Sequence, residues 1–325
     1  MARPRAPLLE AASYTAFVDI LSLVGNTPLV ELKSCSPKPG IRLFAKLEGQ
    51  NPTGSIKDRI VAHMIRVARA EGALRPGQEI VEATTGNTGL ALAMVGRRLG
   101  HLVRLVVPDT VFPGMLPALE FYGAQTVSVA AGVGIKSAID VAREIADRDH
   151  AFLLNQFGSA ENPRCHYETT GPEIIAACPD VDVLVCGLGT GGTITGTGQR
   201  LREHNPDVRL IAAEPHPGSQ LPGLRSLAQG FVPPILDLSL LDGKILVRSS
   251  SAFRAVRELL MREGVLVGPS SGAVMHAALK WAQRMESGTM VLVFADSGWK
   301  YLGAEPLHVA QSHTEDEELD DVLWW

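Results

Sequence analysis

The 325-residue sequence has few cysteines, few aromatic residues and no long apolar run. Cys35, Cys165, Cys178 and Cys186 form no C-x-x-C pair and have no histidine at ligand spacing, so neither a metal site nor a disulfide framework is predicted. No apolar segment approaches the roughly 20 residues that cross a bilayer. Glu10 interrupts the N-terminal apolar stretch too early for a signal peptide. These absences predict a cytoplasmic protein with reduced thiols and no metal.

The charge and the glycine content narrow the class further. A net charge of −5 and a pI near 6.0 predict no general attraction to nucleic acid or to a membrane surface. Any anionic ligand must therefore be captured locally. The 32 glycines, set against 5% aromatic residues, fit an α/β protein with many tight turns, and the length suggests about two domains.

Short apolar runs alternate with helical patterns along the chain. Runs such as "EIVEAT", "LVRLVVP", "VDVLVCG" and "MVLVFAD" are each typical of a buried strand. Their alternation with helical patterns, such as those at 87–99 and 192–204, predicts βαβ repetition, with mostly parallel sheets flanked by helices. The proline-rich segment 218–239 is predicted to be a long surface loop, and the acidic segment 315–321 a disordered tail.

The first of three glycine-rich turns is "GLGTGG" at 187–192, which follows a strand and opens a helix. It satisfies the G-x-G-x-x-G pattern, and Glu214 falls 22 residues after Gly192, where a dehydrogenase would hold a ribose. Glycines that expose N–H groups at a helix N-terminus nevertheless bind any phosphate. The turn therefore predicts a phosphate site without identifying the ligand.

The second turn is "GPSSG" at 268–272, which matches the G-x-S-x-G nucleophile elbow. With Asp296 and His308 later in the chain, Ser270 could belong to a hydrolase triad. The alternative is structural, because Ser270 or Ser271 would also serve as a helix N-cap.

The third turn is "TTGNTG" at 84–89, again between a strand and an amphipathic helix. Its threonine hydroxyls and helix-end N–H groups make a suitable carboxylate cradle. Asn87 can donate as well as accept a hydrogen bond, which suits a phenolate-like oxygen.

Lys57 falls in the first turn of a predicted helix, where the macrodipole disfavours a positive charge. A lysine that attacks a carbonyl must be neutral, and both burial and a helix N-terminus lower its pKa toward that state. The alternative is a solvated surface lysine paired with Asp58.

Five motifs occur in one order: "KLEGQNPTGSIKDR", "TTGNTG", "HYETTGPEI", "GLGTGGT" and "GPSSGA". From about Leu21 to Tyr301 the chain thereby resembles the cysteine synthase family of type II pyridoxal phosphate (PLP) enzymes. Its sequence is similar to that of the family's O-phosphoserine sulfhydrylases in the segments "AAEP", "GFVP" and "DSGWKY" and in a terminus ending in Leu-Trp.

The resemblance implies an α/β fold of type II with two domains, each built on a twisted, mostly parallel sheet. Residues 1–50 and 156–310 would form the larger, cofactor-binding domain, 51–155 the smaller mobile domain, and 311–325 an acidic C-terminal tail. The implied reaction is replacement at the β-carbon of O-phosphoserine or O-acetylserine by a sulfur nucleophile, through an aminoacrylate, to give L-cysteine or a close analogue. A homodimer is also implied.

The resemblance further assigns roles to the residues of the three turns. Lys57 becomes the Schiff-base lysine and the base for the Cα proton. Asn87 becomes the partner of the cofactor's 3′-oxygen, and Ser270 faces the pyridine nitrogen. The phosphate cup would be Gly189, Thr190, Gly191, Gly192 and Thr193. The substrate carboxylate would be held by Thr84, Thr85, Asn87, Thr88 and Gln156.

The resemblance defines the substrate and the nucleophile less closely than it defines the cofactor site. Arg225 aligns with the arginine that grips the phosphate of O-phosphoserine, although a solvated loop arginine is the alternative. The tail resembles segments that enter the active-site cleft, which implies a small thiocarboxylate carrier protein as sulfur donor. The chain departs from the family at 110–117 ("TVFPGMLP") and at Ala83 and Thr85, which leaves open a specialised relative using sulfite or an amine.

Overall fold

A computed structural model describes residues 19–109, 111, 114–130, 135–302 and 322–323. The described strands form one sheet of seven and one of four. In spatial order the larger sheet contains β1 (Leu29–Glu31), β2 (Ile41–Leu47), β10 (Gly288–Phe294), β7 (Val183–Gly187), β8 (Arg209–Pro215), β9 (Gly243–Val247) and β11 (Val322–Leu323). The smaller sheet contains β5 (Gln125–Val129), β4 (Val103–Pro108), β3 (Ile80–Ala83) and β6 (Phe152–Leu153).

Helices flank both sheets. They are α1 (Lys57–Ala70), α2 (Asn87–Leu99), α3 (Met115–Phe121), α4 (Ile135–Asp149), α5 (Glu161–Glu168), α6 (Thr170–Ala177), α7 (Gly192–His204), α8 (Ser249–Glu263) and α9 (Pro269–Ala282). Strand pairs are parallel except at the two edges of the larger sheet, where β1 pairs antiparallel with β2 and β11 with β9. The predicted α/β class with mostly parallel sheets is confirmed.

The central strands of both sheets are buried on both faces, which is why they read as continuous apolar runs. In β8, Ile211 and Ala213 pack into the core on one face, and Leu210 and Ala212 into the core on the other. In the smaller sheet, residues of β4 likewise alternate between two separate cores. The carboxyl ends of these parallel strands consequently share one edge, where a ligand site is expected.

Two segments rich in proline, 218–239 and 110–117, lie between regular elements or at the start of one. Most of 218–239 has no regular structure apart from short 3₁₀ turns such as Leu227–Gln229, as predicted for a surface loop. Helix α3 starts only at Met115, and Pro117 lies in its first turn, where a missing backbone N–H is tolerated. Thr110, Phe112 and Pro113 lie outside the described residues.

The tail and the domain boundaries are only partly covered. The acidic segment 315–321 and His308 lie outside the described residues, whereas Val322 and Leu323 pair with Ile245 and Lys244 of β9. All four strands of the smaller sheet fall within 80–153, inside the range predicted for the smaller domain. The boundaries themselves stay a prediction.

A buried ion network holds α1 against the larger sheet. Arg59 of α1 donates to Glu48, which follows β2, at 2.6 Å and to Glu173 of α6 at 2.7 Å. Lys46 of β2 donates to the same Glu173 carboxylate. Burial alone would raise the pKa of Glu173, but the hydrogen bonds and charges of Arg59 and Lys46 lower it to about 2. The network fixes the helix whose first residue is Lys57.

Candidate active site

A cleft of about 1460 Å³ brings the predicted site residues together. Its lining includes residues that follow β3, β7 and β8, so it lies at the carboxyl ends of parallel strands from both sheets. The predicted residues that line it are Lys57, Thr84, Thr85, Asn87, Thr88, Gln156, Gly189, Thr190, Gly191, Thr193, Arg225 and Ser270. Gly192, the first residue of α7, is not part of the lining. Three turns that lie more than 70 residues apart in sequence therefore form one site.

Lys57 begins α1 and is partly exposed to the open cleft. Its Nζ makes no hydrogen bond or ion pair within the described ranges. Burial lowers the pKa of Lys57 to about 8, the charge of Asp296 opposes this shift, and Arg225 adds to it. The amine therefore becomes neutral, and able to attack a carbonyl, about two pH units below an ordinary lysine of pKa 10.5.

The turn 189–193 forms the N-terminal end of α7, and its three glycines leave no room for a side chain. Gly191 has a φ of 85°, and a Cβ there would lie 2.6 Å from Leu236. A Cβ on Gly189 would lie 2.8 Å from the carbonyl oxygen of Gly223. At the glycines only backbone N–H groups can be presented, and a phosphate is bound well by such groups at a helix N-terminus.

Two side chains that sequence reasoning did not assign support this turn from behind. Asn162 Nδ2 donates to Thr190 Oγ1 at 3.2 Å, and the ring of the buried His166 lies 3.2 Å from Thr193 Oγ1. Burial lowers the pKa of His166 well below its usual value, so the ring is neutral. Both residues stand in or beside the motif "HYETTGPEI", which was the available signal, but their contacts depend on how α5 packs against α7.

The turn 84–89 is largely held by its own hydroxyls. Thr84 Oγ1 accepts hydrogen bonds from the backbone N–H groups of Gly86 and Gly89, at 3.0 and 3.3 Å. Thr88 donates to Gln156 Oε1 at 2.7 Å, and both side chains are buried. Thr85 is the exposed threonine of the turn. A substrate carboxylate would therefore meet Thr85 and backbone N–H groups first, while Thr84, Thr88 and Gln156 shape the turn.

Asn87, the first residue of α2, has both ends of its side-chain amide bound. Its Nδ2 donates to Asp296 Oδ2 at 2.7 Å, and its Oδ1 accepts from Lys300 Nζ at 2.6 Å. Tyr301 also donates to Asp296 Oδ2, at 2.7 Å. No cofactor contact was predicted for Asp296, Lys300 or Tyr301, although all three stand in the segment "DSGWKY".

Ser270 lies in the first turn of α9 and lines the cleft, with 4% of its surface exposed. Its hydroxyl makes no hydrogen bond to a histidine in the described part of the chain. Asp296, the acid of the alternative hydrolase triad, instead accepts hydrogen bonds from Asn87 and Tyr301. The geometry does not support a triad built on Ser270 and Asp296.

Arg225 projects from the proline-rich loop into the cleft. Its guanidinium lies 5.2 Å over the ring of Phe157, which Phe231 contacts edge-on at 5.7 Å. The buried Nε has no hydrogen-bond partner, and no carboxylate pairs with Arg225 anywhere in the described ranges. Burial lowers the pKa of Arg225 to about 10, so it is still a cation at neutral pH. A desolvated cation without an anion is suited to bind an anionic ligand.

Glu214 cannot hold a ribose. It lies at the end of β8 with 1% of its surface exposed, and its Oε2 lies 2.7 Å from Lys244 Nζ. Its other oxygen accepts from Ser226 Oγ at 3.0 Å and from the backbone N–H of Leu227 at 2.8 Å. The acid that the dehydrogenase interpretation required instead anchors the loop that carries Arg225.

Comparisons with known proteins agree with this geometry. Residues 20–296 match the family described as pyridoxal-phosphate dependent enzyme. Cysteine synthase B of Escherichia coli (strain K12) is 39% identical over 280 residues, covering 86% of this chain and 92% of that protein. The chain belongs to the cysteine synthase family of pyridoxal-phosphate dependent enzymes.

Further relatives of this cysteine synthase family member span most of its length. A probable cysteine synthase of Bacillus subtilis (strain 168) is 38% identical over 296 residues, or 87% of this chain and 95% of that one. The crystal structure of cysteine synthase from Entamoeba histolytica has a TM-score of 0.86 at 30% identity, covering 95% and 96% of the two chains. That of an O-ureido-L-serine synthase has a TM-score of 0.86 at 34% identity, covering 94% and 99%.

The residues present fit pyridoxal phosphate, the cofactor of this family. The turn 189–193, whose glycines leave no room for a Cβ, offers N–H groups to a phosphate, and Lys57 offers an amine of lowered pKa to an aldehyde. Asn87 and Ser270 add polar groups to the lining of the same cleft. No helix among the described residues of this cysteine synthase family member is long and apolar enough to cross a membrane.

Proposed function

We propose that this protein forms L-cysteine, or a close analogue, by replacing the β-substituent of a serine ester with a sulfur nucleophile, and that O-phosphoserine is the preferred ester. Family membership and the lowered pKa of the Lys57 amine support the reaction class. The observation that carries the choice of ester is the unpaired guanidinium of Arg225 in the cleft.

In this proposal different residues of the cleft bind different parts of the cofactor, and Lys57 also transfers a proton. The turn 189–193 holds the cofactor phosphate, Asn87 its ring oxygen, and Ser270 its ring nitrogen. When bound, pyridoxal phosphate supplies an electron sink for the electron pair left at the substrate Cα. The neutral Ser270 hydroxyl stabilises a protonated ring less than a carboxylate would, which suits loss of the β-substituent. Lys57 anchors the cofactor and then takes the Cα proton.

The substrate is held at both of its ends. Thr85 and the N–H groups at the start of α2 bind the carboxylate, and Thr84, Thr88 and Gln156 keep that turn in shape. Arg225 binds the leaving phosphate, which departs with the Cβ–O electron pair as the proton leaves Cα. A guanidinium fork matches phosphate oxygens far better than it matches a neutral acetyl ester.

Substitution of Arg225 tests the choice of ester. Removing a charge-assisted hydrogen bond is worth about 1.5 to 3 kcal/mol, so Arg225→Ala is expected to lower kcat/KM for O-phosphoserine by roughly ten- to one-hundred-fold. The value for O-acetylserine, measured with sulfide as the common nucleophile, should change by less than about three-fold, and Arg225→Lys should restore part of the loss. Equal losses on both esters would refute the assignment.

A second candidate is a specialised relative that uses sulfite or an amine as nucleophile. Two observations favour it: the similarity to an O-ureido-L-serine synthase, and Thr85 as the exposed residue of the substrate turn. A screen of sulfide, thiosulfate, sulfite and amines against O-phosphoserine separates the candidates. The nucleophile with the highest kcat/KM identifies the second substrate.

Protein partners complete the proposal. A small carrier with a C-terminal thiocarboxylate is proposed as sulfur donor, because the C-terminal tail resembles segments that enter the active-site cleft. A homodimer is proposed from the family resemblance. Turnover with a thiocarboxylate-bearing carrier, compared with free sulfide, and sedimentation analysis test these two points separately.

A further inference from the structure

The amide of Asn87 lies between a carboxylate and an ammonium group that both come from the segment after β10. Asp296 Oδ2 accepts from its nitrogen at 2.7 Å, and Lys300 Nζ donates to its oxygen at 2.6 Å. Asn87 itself begins α2, next to the smaller sheet. The two hydrogen bonds therefore connect the segment after β10, a strand of the larger sheet, with α2, which lies next to the smaller sheet.

These contacts permit only one orientation of the amide. Rotating it by 180° would place its oxygen against the Asp296 carboxylate and its NH₂ group against the Lys300 ammonium. Both new contacts would be repulsive, and both would replace charge-assisted hydrogen bonds. The usual ambiguity between the two ends of an asparagine amide is thus removed by its neighbours.

The fixed orientation also determines which end of Asn87 meets the cleft. The nitrogen end lies on the side of Tyr301, which lines the cleft and whose hydroxyl is within hydrogen-bonding reach of Asn87. The oxygen end lies on the side of Lys300, which is not part of the lining. Asn87 therefore presents N–H, a donor, to whatever occupies the cleft.

The supports of this arrangement are themselves held in place. Asp296 is 2% exposed, receives the Tyr301 hydroxyl, and lies in a segment bridged to Ser55. Lys300 also donates to the carbonyl oxygen of Gly54 at 3.1 Å. Burial lowers the pKa of Lys300, while the charges of Asp296 and Asp58 oppose the shift. Neither support is a mobile surface group.

We infer that Lys300 and Asp296 are positioning residues that hold the Asn87 amide with its N–H end toward the cofactor's ring oxygen. The inference rests on the proposed role of Asn87 as the partner of that oxygen. It predicts that residues without cofactor contact of their own control how firmly the cofactor is held and how its ring oxygen is hydrogen-bonded.

Lys300→Met is the informative variant, because Asp296 also acts on the charge of Lys57. The methionine keeps an unbranched apolar stem and removes the ammonium. Lys300→Arg restores a cationic donor, and Lys136→Met, at an exposed position of α4, is the matched control. The measurements are the dissociation constant for pyridoxal phosphate added to cofactor-stripped protein, and the visible absorption maximum of the loaded protein at several pH values.

Lys300→Met is expected to weaken cofactor binding by about ten-fold, the order of one charge-assisted hydrogen bond, and to shift the absorption maximum. Lys300→Arg should recover most of both effects, and Lys136→Met should show neither. In an Asn87→Ala background, Lys300→Met should have no further effect, because its action passes through that amide.

Three results would overturn the inference. Lys300→Met could match Lys136→Met in both measurements although Asn87→Ala changes them, so that only the positioning role fails. Its full effect could persist in the Asn87→Ala background, which would place its action at Gly54 instead. Finally, Asn87→Ala could leave both measurements unchanged. The proposed role of Asn87 would then fail, and the positioning role with it.

Discussion

Glu214 and Lys244 form a buried ion pair, 2.7 Å from Oε2 to Nζ, beneath the loop that carries Arg225. The same Glu214 accepts from Ser226 and Leu227, the two residues that follow Arg225. A carboxylate with 1% exposure thus joins the sheet to the substrate loop through a charge and two hydrogen bonds. The position of the arginine depends on this anchor as much as on its own side chain.

The anchor should affect one ester more than the other. Lys244→Met leaves Glu214 as an uncompensated buried carboxylate, so it should loosen the loop at 224–227 and move Arg225. Kinetics with O-phosphoserine should show kcat/KM lowered about ten-fold or more, with a smaller loss for O-acetylserine. Identical losses on the two esters, with unchanged thermal stability, would argue against the anchoring role.

The lowered pKa of Lys57 should govern how fast the cofactor attaches. Only the neutral amine attacks an aldehyde, so the attachment rate should rise with pH and level off above about pH 8, whereas a lysine of pKa 10.5 would not level off before about pH 10. The rate is measured by borohydride reduction and mass spectrometry after timed mixing. Lys57→Ala provides the blank, and a rate that still climbs steeply above pH 9 would contradict the prediction.

The narrow turn at Gly191 should tolerate no side chain. Gly191→Ala combines a φ of 85° with a Cβ 2.6 Å from Leu236, so we expect it to cost about 2 to 5 kcal/mol and to weaken cofactor binding. Gly230→Ala is the matched control, because its φ is 81° but a Cβ there meets nothing within 4 Å. The control should cost only about 1 to 2 kcal/mol in urea unfolding and leave cofactor binding intact. Equal costs would show that backbone strain alone is responsible.

The buried network around Arg59 should contribute strongly to stability. Arg59→Met leaves Glu48 and Glu173 without their main partner, and removing one member of a buried ion pair costs about 3 to 5 kcal/mol. Arg164→Met, at an exposed position whose ion pairs are local to α5, should cost less than about 1 kcal/mol. Urea unfolding of both variants, each compared with the wild type, measures the difference.

The sequence alone determined the fold class and the pyridoxal phosphate cofactor. Periodicity predicted a helix at 87–99 and another at 192–204, and these are the observed bounds of α2 and α7. Glycine-rich turns between strand and helix are local features with local causes, so their ability to hold anions can be recognised before any contact is known.

Only the tertiary structure decided which of the competing interpretations of each turn applied. The sequence was compatible with Glu214 binding a ribose, but in the structure Glu214 is buried beside Lys244. It was also compatible with Asp296 as the acid of a triad, but Asp296 is hydrogen-bonded to Asn87. Such roles depend on the neighbours that a charge acquires when remote segments pack together. A buried carboxylate requires a partner, and neither composition nor spacing specifies which residue 209 positions away will supply it.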